Sequence, residues 1–296
     1  MTAEIATACC VVCNSPNCSL VAELPFGVRE GTIQSLVMRC GHCGCYFRRF
    51  RQPPALDEHW DSQSYTSPQH EERFRGARQS FFESLARWAL AEMPARVQTR
   101  RVLDVGCSYG HLLEIFCRRN CECFGVEPVE WLRNRLNKRP GFTVFRSIEE
   151  LPAGESYDIM TLVDSLYYFG DPIRGLKDLA GRMRPSGIMI IRVTNRTPLL
   201  NLYRMLFPGK ITEQSFGDQL VAFSHRGVMA ALRQSGLAVA SFRCFERKPL
   251  TGRGLAGFAY YGVLPAISAV TGLKLTPGLT YLCRRNDVVS TAPTSA

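Results

Sequence analysis

The chain has 296 residues, of which 46% are hydrophobic and 21% charged, a balance that excludes a disordered or compositionally biased protein and leaves room for one large domain beside a small one. The formal net charge of +10 would suit an anionic partner. Its carriers are scattered (Arg48, Arg49 and Arg51; Arg100 and Arg101; Arg118 and Arg119; Arg133, Arg135, Lys138 and Arg139), so solvated faces are expected and nucleic acid is not.

The N-terminus lacks the apolar core of a secretory leader, so the thirteen cysteines are expected in a reducing cytoplasm, holding metal rather than forming disulfides. Cys10-Val-Val-Cys13 and Cys40-Gly-His-Cys43 form two knuckles of the same spacing. Zinc takes four thiolates in a tetrahedron, and each tight turn supplies two. Residues 20–38 between them alternate in part, as in Thr32-Ile33-Gln34-Ser35-Leu36-Val37, which predicts a hairpin. The expectation is a zinc ribbon over residues 1–52 with Cys10, Cys13, Cys40 and Cys43 as ligands. Cys9, Cys18, Cys45 and His42 are alternatives, but only the first set gives two matched turns. A closed four-thiolate site has no open position for substrate, so its role is to fold a segment too short to build its own core.

Residues 53–69, with Pro53-Pro54, read as a linker from which Trp60 and Tyr65 dock on the next domain. A helix is predicted over 70–93, where Phe74, Phe81, Phe82, Leu85, Trp88, Ala89 and Met93 share a packing face and Pro94 stops the chain. Next comes VLDVGCSYGHLL at 102–113: an apolar run containing Asp104, a turn with Gly106 and Gly110, then an apolar helical pattern. Such strand–turn–helix units bind nucleotides in α/β proteins, yet the turn lacks the Gly-x-Gly-x-x-Gly spacing of dinucleotide sites and the Lys-Ser/Thr of a phosphate loop. Strands are predicted over 122–127, 142–145, 157–163 and 187–193, with helices over 129–138 and 173–183. The alternation predicts an α/β fold with a parallel, doubly wound sheet and ligands at the strand ends, where Asp104, Glu127 and Asp164 fall. Glycines admit close backbone approach, an acid after the second strand accepts ribose hydroxyls, and amides near 109–111 receive a carboxylate. A ligand with a ribose and a carboxylate but no phosphate suits such a site.

VLDVGCSYG, GVEP at 125–128, YDIMTLVDSLYYFGDP at 157–172 and RPSGIMIIRVTN at 184–195 resemble, in order and spacing, the motifs of class I S-adenosylmethionine-dependent methyltransferases. The resemblance covers about residues 70–245. The Cys-x-x-Cys pairs and FSHRGVMAALRQSGL at 223–237 resemble a bacterial subgroup with a zinc ribbon ahead of a Rossmann-like domain, here 70–286, with helices on both faces of its sheet. The resemblance implies that Asp104, Gly106, Cys107, Ser108 and Gly110 line the methionine end of the cofactor, with His111 orienting its carboxylate. Glu127, followed by Pro128, would bind the ribose. Ser147 and Ile148 would lie against adenine, and Val163 and Asp164 beneath the cofactor. Arg146-Ser147 departs from the acid or amide usual there, which leaves adenine to the backbone and Glu149. Tyr167-Tyr168 replaces a Glu-His pair of many relatives, so a histidine base does not carry over. Methyl transfer needs alignment and water exclusion above all. Where a base is required, Asp164, Tyr167 and Tyr168 are the first choices, with His111 and His225 as further ones.

Residues 198–222, with Leu199, Leu202, Tyr203, Met205 and Phe207, are expected either to form an apolar acceptor lid or to pack as a surface helix. The uncharged stretch 254–273 is expected as a packed helical excursion before the last strand, with interfacial contact the alternative and a membrane span disfavoured by its glycines and Pro265. Residues 287–296 are expected as a disordered tail. The function expected is methylation of a small molecule on oxygen or carbon. An RNA methyltransferase and a non-catalytic docking protein are the alternatives.

Overall fold

A computed structural model describes residues 9–28, 31–52, 54, 68–94, 99–206, 211–243, 262–272 and 274–289. Its strands are β1 (Cys18–Val28), β2 (Gly31–Cys40), β3 (Tyr46–Phe50), β4 (Arg100–Val105), β5 (Cys121–Val126), β6 (Phe142–Phe145), β7 (Tyr157–Val163), β8 (Met183–Thr194), β9 (Val221–Ala222), β10 (Leu237–Arg243) and β11 (Gly278–Arg285). The helices are α1 (Pro68–Ala91), α2 (His111–Cys117), α3 (Glu130–Asn137), α4 (Pro172–Gly181), α5 (Thr197–Leu206), α6 (Glu213–Phe216), α7 (His225–Gln234), α8 (Leu264–Thr271) and α9 (Asn286–Val289).

Seven strands form the large sheet in the order β10-β11-β8-β7-β4-β5-β6. Strands β4 to β8 are parallel, as their βαβ alternation requires. Strand β11 runs antiparallel to both β8 and β10, a departure from the all-parallel expectation. Helices cover both faces. Phe82, Leu85 and Trp88 of α1 join Leu112 and Phe116 of α2 in one core, while Leu176 and Leu179 of α4 join Val228 and Leu232 of α7 in the other. The order reverses between β4 and β7, whose carboxyl ends therefore open into a crevice.

The expected hairpin is β1–β2, with β3 beside it. The ribbon is not freestanding. Strand β9, from the far side of the chain, adds to β3 and completes a four-stranded sheet. Cys10, Val12, Met38 and Phe47 share one core with Val221, Phe223 and Val228.

Other differences are local. Strand β8 starts at Met183, ahead of Pro185, so the strand begins earlier than the proline suggests. Helix α8 is not the packed helix expected: none of its residues is buried, and Val270 is 88% exposed. None of the described residues of helix α5 lines the cleft at the sheet's strand ends; the helix packs on the ribbon side. Leu200 packs under it with Tyr46 and Phe216 of the ribbon side, and the Tyr46 hydroxyl donates to Asn201 Oδ1 at 2.8 Å. The chain expected to begin a tail at Asp287 is helical in α9 to Val289. Trp60, Tyr65, Phe207, residues 254–261 and residues 290–296 lie outside the described residues. Among described helices, none is long and apolar enough to cross a membrane.

Candidate functional site

The apolar run of β4 places Asp104 in the sheet interior, and the chain then turns sharply. Gly106 (φ 79°), Ser108 (φ 50°) and Gly110 (φ 75°) all take left-handed backbone. At Gly106 a Cβ would also lie 2.6 Å from the Ser165 Cβ, so glycine is required twice over. The Gly106 and Cys107 amides donate to the Val126 carbonyl, pinning the turn to the end of β5. Helix α2 starts at His111 behind it.

Two carboxylates face the crevice. Asp104 accepts from Thr161 Oγ1 at 2.6 Å and is 4% exposed. Burial pushes its carboxyl up to about 7 against the Thr161 hydrogen bond, and the neighbouring Glu127 charge adds to the rise. Glu127 accepts the Ser108 amide at 2.8 Å and the Val129 amide at 2.9 Å. Burial raises it to about 7 as well, opposed by those two amides. Two desolvated acids with open lone pairs are a receptor for hydroxyls or a cationic group.

His111 is 3% exposed, and neither ring nitrogen has a hydrogen-bond partner among the described residues. Burial and then Arg75 lower it to about 4, so it is a neutral imidazole. It stacks on Tyr109 with centroids 5.7 Å apart. Its nearest carboxylates, Glu71 at 3.9 Å and Glu114 at 4.0 Å, are beyond hydrogen-bond reach, so a buried ring lining the same cleft as two buried acids marks a place where a polar ligand completes the bonding.

These groups line a cleft of about 660 Å³. Cys107, Ser108, Pro128, Ser147, Ile148, Val163, Tyr167 and Tyr168 also line it, whereas Gly110 does not and serves the turn alone. The Cys107 thiol packs over Gly125, whose Cβ would lie 2.7 Å from it, and burial raises it well above the thiol range. That environment makes it an inert wall rather than a reactive group. The sequence missed Phe74, Arg78 and Phe82 of α1 and Arg174 and Asp178 of α4, which also line the cleft. The available signal was Arg78, a charge set within an aromatic helical face.

Asp164 departs most from expectation. It has left-handed backbone at φ 59°, and its two oxygens take Arg192 and Arg78, the latter at 2.7 Å. Burial alone would raise its carboxyl, but Arg192 and Arg78 hold it below the usual range. A carboxylate clamped between two guanidiniums is a weak proton acceptor, an arrangement that suits an ordering role at the end of β7. Tyr167 is 7% exposed, with its phenol raised well above the usual value by burial and by Asp164. Tyr168 packs edge-on against it at 4.7 Å and donates to Asp218 Oδ2 at 2.8 Å. His225, the remaining base considered, lies elsewhere, bonded through Nδ1 to the Tyr281 hydroxyl.

A separate cluster sits in the ribbon. The sulfurs of Cys10, Cys13, Cys40 and Cys43 lie within 4.8 Å of one another, with Cys10–Cys43 at 3.7 Å and Cys13–Cys40 at 3.6 Å. Thiolates about 2.3 Å from a tetrahedral zinc stand about 3.8 Å apart, so the donor set fits that ion. The knuckles match: each turns through a left-handed residue, Asn14 or Gly44, and in each a backbone amide meets the first sulfur at 3.4 Å. Cys18 and Cys45 stay outside. The Cys18 thiol donates to the Ser15 carbonyl, and Cys45 packs against Ser224.

A family model described as a methyltransferase domain matches residues 74–240. The chain belongs to the class I S-adenosylmethionine-dependent methyltransferases. The methyltransferase is 27% identical over 179 residues to the ubiquinone biosynthesis O-methyltransferase of Bordetella avium, covering 55% of this chain and 72% of that protein. It is 27% identical over 148 residues to the protein of the same name from Rhodopseudomonas palustris, where the match spans 47% of this chain and 58% of that protein. The chain thus spans 58% and 61% of the length of two of the relatives it matches, less than two thirds. The fold agrees with the Synechocystis magnesium protoporphyrin IX methyltransferase solved with bound SAH (TM-score 0.52, 13% identity, covering 78% of this chain and 98% of that one). It also agrees with the plantazolicin methyltransferase BpumL, solved with SAH and a substrate analogue (TM-score 0.50, 15% identity, 78% and 94% covered).

Proposed function

We propose that the protein moves the S-adenosylmethionine methyl group to a hydroxyl of a small acceptor with an aromatic or quinone-like ring. The observation that carries this is the cleft itself, lined both by two buried acids and by the Tyr167, Tyr168 and Phe169 rings. The names of the curated relatives support the acceptor class. Bound there, the donor supplies an already activated methyl group. Glu127 accepts its ribose hydroxyls, and the Ser108 bond keeps that carboxylate aimed. Asp104, the turn amides and the unpartnered His111 ring hold the methionine end. Ser147 and Ile148, which line the cleft, would lie against adenine, and Val163 and Asp164 would lie beneath the sulfonium. The tyrosine wall excludes water and aligns the acceptor.

One structural zinc in the four-cysteine cluster belongs to this reading. So does contact with an anionic lipid surface through α5 and α8. Seven of the eight large apolar side chains exposed among the described residues sit in or beside these two helices. Both helices border a cleft that also presents Arg39, Arg226 and Lys274. Nucleic acid is disfavoured because Arg101, Arg119, Arg135, Arg184 and Arg192 are spent on internal acids.

The test is transfer of tritiated methyl from the donor to a panel of catechols and hydroquinones beside bulk RNA. Label in an O-methylated ring compound is the expected result. Label in RNA alone would overturn the reading.

A further inference from the structure

Arg78 of α1 lines the cleft beside the tyrosines. Its Nη1 lies 2.7 Å from Asp164 Oδ2, and its Cζ stands 5.7 and 5.9 Å from the centroids of the Phe74 and Phe81 rings. Asp164 is its one carboxylate partner among the described residues, and the side chain is 25% exposed. A guanidinium carries five N–H donors, so one carboxylate contact leaves part of the fork unused. Asp164 is also paired with Arg192, so the cluster of three holds two cations against one carboxylate. Burial raises the Tyr167 phenol and the Arg78 charge partly opposes that rise, which sets the cation near the tyrosine wall. Ser165, next in the chain after Asp164, adds a second unused donor. It is 8% exposed, it lines the same cleft, and its Oγ has no hydrogen-bond partner among the described residues. A buried hydroxyl in that state marks a place where a ligand completes the bonding.

We infer that Arg78 and Ser165 are specificity-determining residues that receive a carboxylate on the acceptor, so that the enzyme prefers a hydroxylated aromatic acid to the neutral ring. This rests on the reading above of a ring hydroxyl as the methyl acceptor. The planar fork of an arginine matches a carboxylate with two parallel N–H···O bonds, which are shorter and stronger than neutral ones. The Phe74 and Phe81 rings beside it keep water from the pair, which strengthens the attraction. A neutral acceptor leaves the surplus cation in the same cleft as the positively charged sulfonium, whereas a carboxylate offsets it. The cleft of about 660 Å³ serves donor and acceptor together, which suits an anion as compact as a carboxylate.

The test compares protocatechuate, a dihydroxybenzoate, with its neutral methyl ester as acceptors for the full-length protein. In wild type kcat/KM for the acid should exceed that for the ester by about 10- to 100-fold, the scale of a hydrogen-bonded charge pair. Arg78→Met should erase this ratio through the KM of the acid, and Asp164 keeps Arg192 in that variant. Ser165→Ala should lower the ratio by about fivefold, the scale of one hydrogen bond. Should Arg78→Met not fold, Arg78→Lys, which keeps the charge but not the fork, must lower the ratio by about threefold or more. Equal kcat/KM for acid and ester in wild type overturns the inference, and so does a ratio that survives Arg78→Met. A surviving ratio together with weakened S-adenosylmethionine binding by calorimetry would assign the guanidinium to the donor instead. If wild type methylates neither compound, the ring-hydroxyl reading fails on its own. The carboxylate site is then judged by calorimetry on protein loaded with S-adenosylhomocysteine. The acid must bind more tightly than the ester in wild type and no more tightly in Arg78→Met, and equal or absent binding in wild type overturns it.

Discussion

The Ser108 amide donates to the Glu127 carboxylate at 2.8 Å, so the glycine turn after β4 and the acid after β5 form one unit. Removing the acid therefore disturbs the turn as well as the ribose contact. Glu127→Gln should weaken S-adenosylmethionine binding by about 10- to 100-fold, the scale of a lost charged hydrogen bond. Glu127→Ala should weaken it further, since the Ser108 and Val129 amides lose their acceptor. Isothermal calorimetry reads both, and unchanged affinity in either would remove the site assignment.

A pH dependence follows from Asp104 and Glu127, both raised to about 7 by burial. Their ordinary values lie near 4, so in the unfolded chain they ionise first. The ligand-free fold should lose stability as pH rises from about 4 to about 7 and level off beyond it. Donor affinity should move the opposite way, rising through pH 7 as both groups ionise. Thermal melts from pH 5 to 8, with and without S-adenosylmethionine, should show a falling baseline Tm and a growing ligand-induced increment.

Asp164 is expected to matter for stability more than for proton transfer. Asp164→Ala leaves Arg78 and Arg192 facing each other without their shared carboxylate, which should cost about 3–5 kcal/mol. Chemical denaturation measures the loss. The pH profile of kcat in Asp164→Asn should keep its wild-type shape, and a missing limb would restore the base role.

One zinc per chain is expected by elemental mass spectrometry. Cys13→Ser should lose the ion and melt the ribbon early, because metal affinity here is folding energy. Cys45→Ser should retain the metal, since its sulfur packs on Ser224 outside the cluster.

Flotation with vesicles containing anionic lipid should carry the protein at low salt and less of it at high salt. Met205→Asp with Val270→Asp should reduce retention by roughly tenfold, as both side chains are exposed, at 70% and 88%. Equal retention in the variant would place the contact elsewhere.

Motifs with strict local geometry were legible in the sequence. Asp104, Gly106 and Glu127 stand where a strand–turn–helix unit must put them, and the paired Cys-x-x-Cys turns define their cluster by spacing alone. What stayed hidden depends on long-range contact. Arg78 belongs to a helix whose aromatics read as packing, and only the docked helix brings it to Asp164. Arg48 lies 169 positions before Gly217, whose carbonyl it bonds beside Asp218, and no local pattern links them. The exposure of α8 was equally unreadable, because an apolar helix has the same composition whether its faces are covered or bare.

The two-residue strand β9 has a consequence for synthesis. Strand β3 would otherwise be the open edge of the ribbon sheet, with backbone groups free to pair with another chain. The residues that cap it, Val221 and Ala222, leave the ribosome well over a hundred residues after Phe47. Until then the N-terminal unit is a nascent intermediate with a sticky border, and shortening the chain ahead of residue 221 leaves that border permanently open.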